Sequence, residues 1–301
     1  MWVRDELERR PDLINELART LSKERINSLR AHALVIAGFV RDSNRVMVTT
    51  CDSYESSARY TAMVFSSIAG KEVTYVDPED LMYYIAPYDE GRESKVLIYS
   101  SEEGLQTLSM LIDQLTWTGH EILLIAQKQL SEELKYRLGD SKPVSLDSSE
   151  WLIDTHIVAS LAASELAEGR SVRKSRIMSE LNSIDAIMIK DLLQSYSNVL
   201  KELKIFIQRP FITTASPSMW GVAEELVYNH FDNTYLVRPE AVYKHVSRVN
   251  RVLMISTDVE EYSLKQVRAL SITRNAEVFP LYVRTDPITS PIYGLLLIKF
   301  L

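Results

Sequence analysis

The sequence predicts an α/β fold built from two similar parallel-sheet domains joined by a helical segment, and three observations carry that prediction. Strand-like apolar runs alternate with helical patterns of roughly 10–18 residues, the rhythm of βα crossovers. The runs are continuously apolar rather than alternating, as parallel strands covered on both faces require. The rhythm also occurs twice, separated by a helical stretch from Ser149 to Leu203 that holds no strand candidate.

Taken in order, residues 1–40 place Leu13, Ile14, Leu17, Leu21, Ile26 and Leu29 at helical spacing and form an N-terminal helical segment. Residues 41–148 make the first α/β domain. Its strands are Arg45–Thr50, Lys71–Val76, Lys95–Tyr99 and Glu121–Ala126, with a helix running to Gly70 and another from Glu102 to about Thr118, stopped by Gly119. Residues 149–203 are connecting helices. Residues 204–301 repeat the rhythm. Strands are expected at Lys204–Ile207, Thr234–Val237, Arg251–Ser256 and Glu277–Val283, with helices at Ser216–Phe231, Val259–Arg274 and Ile292–Leu301. Laid side by side without gaps, residues 95–125 and 251–281 pair Ser100 with Ser256, Leu108 with Leu264 and Glu121 with Glu277. Equal element lengths over that span favour an internal duplication over two unrelated βαβ units.

Composition narrows the function classes. The chain has 301 residues, 9 of them glycine, and neither GxGxxG nor GxxxxGK[ST] occurs, which disfavours a dinucleotide or P-loop nucleotide site. A net charge of −7 gives no nucleic-acid footprint. One cysteine, Cys51, excludes a disulfide framework and a CxxC metal site, and no histidine pair has the spacing of a helical zinc site, so no metal or other cofactor is expected. The charged opening MWVRDELERRPDL and the absence of a long uncharged apolar run predict a cytoplasmic protein without a membrane span.

In an open parallel sheet, ligands bind where the strands end and helix N-termini present free N–H groups. Two turns of the first domain stand there: Thr50-Cys51-Asp52-Ser53-Tyr54 and the stretch from Tyr99 to Thr107. Their hydroxyls suit a phosphate or a sugar, and equally suit plain helix capping.

These residues carry a resemblance to the sugar isomerase (SIS) domain family, in particular to the two-domain isomerase half of glucosamine-6-phosphate synthase and its single-chain relatives. VRDELERRPDLINELA is similar to the family's leader segment, Thr50–Tyr54 lies where the family has C-G-T-S-Y, and Ser67-Ile68-Ala69-Gly70 resembles the helix end before the second strand. Tyr99–Thr107 falls without gaps on S-x-S-G-E-T-x-D-T, the family's phosphate loop. The resemblance implies two SIS-type domains, a homodimer, and a small-molecule sugar or sugar phosphate as partner. Substrate-binding roles fall on Asp52, Ser53, Tyr54, Ser101, Glu103 and Thr107.

It also implies a glutamate base for proton transfer and a ring-opening histidine. Glu225 is the base in one alignment, while a two-residue shift puts Val227 there. Pro239–His245 resembles G-E-L-K-H and would carry Glu240 and His245 into these roles. The alternative is a solvated face for Glu224 and Glu225 and a surface histidine. Family enzymes continue into a tail bearing a lysine, so a lysine acting on the open-chain sugar is expected from elsewhere. The departures are acidic: Cys51 and Glu102 replace glycines, and Asp52 and Gly104 replace threonines. A carboxylate about 4 Å from a phosphate costs on the order of 1 kcal/mol in bulk water and several near a surface. Two functions stay open: an aldose–ketose isomerase or glucosamine-6-phosphate deaminase, or a non-catalytic sugar-binding or scaffold protein. Ligand binding between the domains, at the 51–54 and 99–107 loops, is expected in either case.

Overall fold

The computed structural model describes residues 11–43, 45–89, 94–101, 106–139, 141, 143–167, 172–230 and 234–301. The chain divides into two compact units, one of Lys23–Asn182 and one of Met1–Ser22 with Ser183–Leu301. The first helix, α1 (Pro11–Thr20), therefore belongs with the C-terminal half of the chain.

In the Lys23–Asn182 unit, α2 (Lys23–Arg41) leads into β1 (Arg45–Thr50), α3 (Glu55–Val64) and β2 (Val73–Tyr75). Helical turns between Pro78 and Tyr88 precede β3 (Ser94–Ser100), α4 (Gln106–Thr118) and β4 (Glu121–Ala126). The unit closes with α5 (Glu132–Leu138), β5 (Val144–Ser145), α6 (Trp151–Leu166) and α7 (Val172–Asn182). The sheet order is β2-β1-β3-β4-β5 with every pairing parallel. Because side chains alternate across a strand, Met47, Val96, Ile98, Ile122 and Leu124 pack on Leu108, Leu111, Ile112 and Leu115 of α4. On strand β3 the next residue, Tyr99, faces the other way, where its hydroxyl meets that of Thr61 at 2.8 Å and its ring meets Trp151 edge-on. Helix α6 lies against α2 and α3 and is buried on all sides from Trp151 to Ser164. A helix enclosed in this way has no polar face, which explains its lack of amphipathic pattern.

In the other unit, α8 (Ala186–Ser195) and α9 (Ser197–Phe206) precede β6 (Phe211–Ala215), α10 (Trp220–His230) and β7 (Thr234–Leu236). Then follow β8 (Arg251–Thr257), α11 (Glu261–Thr273), β9 (Glu277–Val283) and α12 (Ser290–Ile298). The order β7-β6-β8-β9 is again all parallel. Ile212, Val252 and Met254 pack on Leu264 and Val267 of α11, and α12 packs on α10.

The strand expected at Lys204–Ile207 is a helical end instead. Leu200, Leu203 and Phe206 recur at helical spacing and are all buried, so α9 runs through this segment. Pro210 then stands directly before the strand β6, whose five residues are buried. The helix expected from Ser216 begins at Trp220, after turn residues that make the contacts described next.

Candidate functional site

Both sheets have a topological switch point. From β1 the chain crosses to β2 on one side and then to β3 on the other, and β6 stands in the same relation to β7 and β8. Adjacent crossovers leave on opposite faces there, opening a crevice at the carboxyl ends of the two strands.

At the β1/β3 point, Asp52 bridges the two strand ends. Its Oδ1 accepts from the Thr50 hydroxyl at 2.8 Å and from the Tyr54 N–H at 2.9 Å. Its Oδ2 accepts from the Ser101 N–H, across the crevice, at 2.6 Å. Backbone N–H groups from both strand-end turns thus converge on one carboxylate. Ser53 beside it is exposed, Tyr54 and Ser101 are half-buried, and Thr107 sits half-buried in the first turn of α4. Glu103, with Glu102 and Gly104, lies outside the described residues. Cys51 packs against the apolar cluster under α4, and burial, helped by the Asp52 charge, pushes its thiol up to about 12. A thiol so held stays protonated at neutral pH and is no nucleophile.

Next to Ser101, at the ends of β3 and β4, lies a pocket of about 460 Å³. Leu108, Leu124, Ala126 and Leu130 give it apolar walls, and Ser100, Ser101, Gln127, Lys128 and Gln129 give it polar ones. Gln127 is fixed from both ends, its N–H donating to the Ser100 carbonyl at 3.1 Å and its side-chain amide to the Ser148 carbonyl at 3.0 Å.

At the β6/β8 point the bridge runs the other way. Glu260, just past β8, accepts from the Ser216 hydroxyl at 2.7 Å, the Ser218 N–H at 3.2 Å and the Thr257 hydroxyl at 3.3 Å, and also from the Ser218 hydroxyl.

The catalytic candidates are not brought into one cluster. Glu224 and Glu225 do not form a solvated face: they are 1% and 6% exposed in the middle of α10. Helix α10, packed on α12 and the sheet, buries polar positions when they find partners, and Lys299 donates to Glu225 at 2.6 Å. Glu240 and His245 are exposed. Glu240 borders a separate pocket of about 390 Å³ formed with Tyr243, Ser263 and Gln266 against α11, which Glu225 does not line. Among the described residues no group of three or more His, Cys, Asp and Glu side chains could hold a metal ion, and no helix is long and apolar enough to cross a membrane.

The sequence matches no family model and no curated protein, but solved structures match along nearly the whole chain. A Bacillus subtilis structure described as a candidate phosphosugar isomerase is 12% identical, with a TM-score of 0.67 and 93% of each chain covered. The C-terminal domain of glucosamine-fructose-6-phosphate aminotransferase from Francisella tularensis is 9% identical, with a TM-score of 0.62, 100% of this chain and 95% of that one. Glucosamine-6-phosphate deaminase from Thermotoga maritima is 12% identical, with a TM-score of 0.60, 91% of this chain and 92% of that one. The chain has the sugar isomerase fold. At such identity the likeness is one of fold, and what each SIS-type chain does rests on its own side chains.

Three residues escape the sequence reading. Lys128 and Lys299 carry no motif. Glu260 had a signal, because the ungapped pairing of 95–125 with 251–281 sets it opposite Gly104, inside the loop segment already singled out.

Proposed function

We propose that this protein binds a carbohydrate derivative at the carboxyl ends of β3 and β4. The observation that carries the reading is the pocket beside Ser101. Sugars present hydroxyl edges and apolar faces, and a pocket with serine, amide and ammonium groups on one side and leucines on the other complements both. Its volume lies within the usual range for small-molecule sites, roughly 300–1,000 Å³. It stands at the strand ends, where α/β sheets take their ligands, in a fold held in common with proteins titled for phosphosugars and amino sugars. A homodimer in the cytoplasm, with each SIS-type domain an α/β unit, belongs to the same proposal.

Titration of the protein with glucosamine, glucosamine 6-phosphate, fructose and fructose 6-phosphate, followed by thermal unfolding, tests it. At least one should raise the midpoint saturably, and Lys128→Ala should weaken that effect. No stabilisation by any of the four would remove the reading.

The part-buried Glu225–Lys299 pair carries a second reading within its own unit, an aldose–ketose or deaminase reaction in which Glu225 moves the proton. Exchange of carbon-bound hydrogen with solvent deuterium, observed by NMR on each of the four sugars, should then occur for at least one of them with wild type and cease in Glu225→Gln. No exchange with wild type would leave binding without catalysis.

A further inference from the structure

We infer that Asp52 and Glu260 are specificity-determining residues: each supplies from within the chain the anion that its switch-point cradle would otherwise take from a ligand, so the sugar bound has no phosphate at these points. The inference rests on the carbohydrate reading above and narrows its ligand to a neutral or amino sugar.

A crevice floored by outward-pointing backbone N–H groups and hydroxyls is an anion cradle, because its partial positive charges converge and no side-chain carboxylate need be near. At the β1/β3 point the donors seen among the described residues include the N–H groups of Tyr54 and Ser101 and the Thr50 hydroxyl, and these three donate to Asp52. At the β6/β8 point they are the Ser218 N–H with the hydroxyls of Ser216, Ser218 and Thr257, and all donate to Glu260. Short-range turn formation does not account for this. The Ser101 N–H comes from 49 residues away, and the Ser218 N–H from 42.

The two bridges also differ in origin. Asp52 follows the first strand of its central pair and reaches to the second, whereas Glu260 follows the second strand of its pair and reaches back to the first. Different residues at positions that do not correspond thus make the same link between strand ends. What recurs is a carboxylate spanning the switch point. A phosphate entering either cradle would have to displace that carboxylate from its donors and then lie beside it, with like charges at close range. A neutral sugar or an ammonium group meets no such opposition, and the pocket beside Ser101 remains open to it.

The test uses the full chain as wild type, Asp52→Gly, Asp52→Asn and Glu260→Gln. Calorimetric titration with inorganic phosphate, glucosamine and glucosamine 6-phosphate at constant ionic strength is combined with the amide NMR shifts of Tyr54, Ser101 and Ser218. In wild type, phosphate should leave these amides unmoved, and glucosamine should bind at least as tightly as its 6-phosphate. Asp52→Gly should bind phosphate about tenfold or more tighter, with Ser101 shifting, which corresponds to relief of about 1.4 kcal/mol or more of like-charge opposition. Glu260→Gln should do so at Ser218. Wild-type phosphate binding that shifts Ser101 or Ser218 overturns the inference, as does the absence of any gain in every variant. The wild-type arm needs no substitution and keeps its force if a variant does not fold. If the variants gain phosphate while no sugar binds wild type, the cradle assignment stands and the carbohydrate reading fails.

Discussion

Gly294 shows how far a single atom matters where two helices meet. A Cβ built at this position would stand 2.7 Å from both Met219 Cε and Val222 Cγ2, inside any ordinary carbon contact. Met219 ends in a flexible thioether that can swing away, but Val222 is branched at Cβ and has little freedom to turn within a helix. Gly294→Ala is therefore expected to destabilise by about 1–3 kcal/mol, the usual cost of overpacking, read as a lower urea midpoint with unchanged slope. Val222→Ala in the same chain should recover part of the loss, and strict additivity of the two changes would contradict the contact. Asp52 teaches a different lesson at this scale. Its acidity beside the strand ends was legible in the sequence, as was the expectation that it would oppose a phosphate. Its hydrogen bond to the Ser101 N–H was not, because nothing in a linear string tells which backbone group 49 residues away will face a carboxylate. The same holds for the pairing of Glu225 with Lys299, 74 residues apart.

Elements declare themselves where burial and period agree. The strands Arg45–Thr50 and Glu121–Ala126 coincide with their apolar runs, because a parallel strand covered by helices is apolar throughout, and the half-buried edge strand Glu277–Val283 coincides with its run as well. Two-residue β5 has no period to read, and the helical turns from Pro78 to Tyr88 depend on packing beneath the sheet. Helix α6 is the element that the rest of its unit encloses, and its polar residues have a measurable consequence. His156 is wholly buried, its ring 4.2 Å from that of Tyr60 and its Nδ1–H donating to the Leu152 carbonyl at 2.6 Å, while Nε2 has no hydrogen-bond partner among the described residues. Burial pulls its imidazole down to about 4, the Leu152 bond opposing only in part. Unfolded, it titrates near 6.5. Between these values the unfolded chain holds the extra proton, so stability rises with pH through this window. The contribution is complete above 6.5 and lost as pH falls to about 4, amounting to roughly 3 kcal/mol. Asp154, two residues earlier, works with the opposite sign. Its carboxyl is raised by burial although Arg25 donates to it, so its contribution is present below the ordinary 3.8 and lost as pH rises through the folded value. Comparing His156→Gln with wild type at pH 7 and pH 4.5 removes the Asp154 effect common to both. The variant's stability should change less with pH than that of wild type, and equal slopes would contradict the assignment.

At the scale of the molecule, the consequential fact is the grouping of Met1–Ser22 with Ser183–Leu301 rather than with the residues that follow it. Local pattern shows an amphipathic segment here but cannot show which core receives its apolar face, since any core of suitable shape would serve. In the structure α1 packs on α8, with Ile14, Leu17 and Leu21 all nearly inaccessible. Each such side chain contributes roughly 1.5–3 kcal/mol on burial, so removing three is comparable with the whole stability of a domain, about 5–15 kcal/mol. Deletion of residues 1–22 should consequently loosen the unit that resumes at Ser183, after the intervening Lys23–Asn182, while sparing the one that starts at Lys23. Hydrogen exchange separates the two cases. In the truncated chain the amides of β6 and β8 should lose protection, whereas those of β1 and β3 should keep theirs, since the latter sheet retains both of its covering layers from within Lys23–Asn182. Loss of protection in β1 and β3 with β6 and β8 unchanged would show that the N-terminal helix supports the other unit. Unchanged protection in both would show that α1 adds no stability to either.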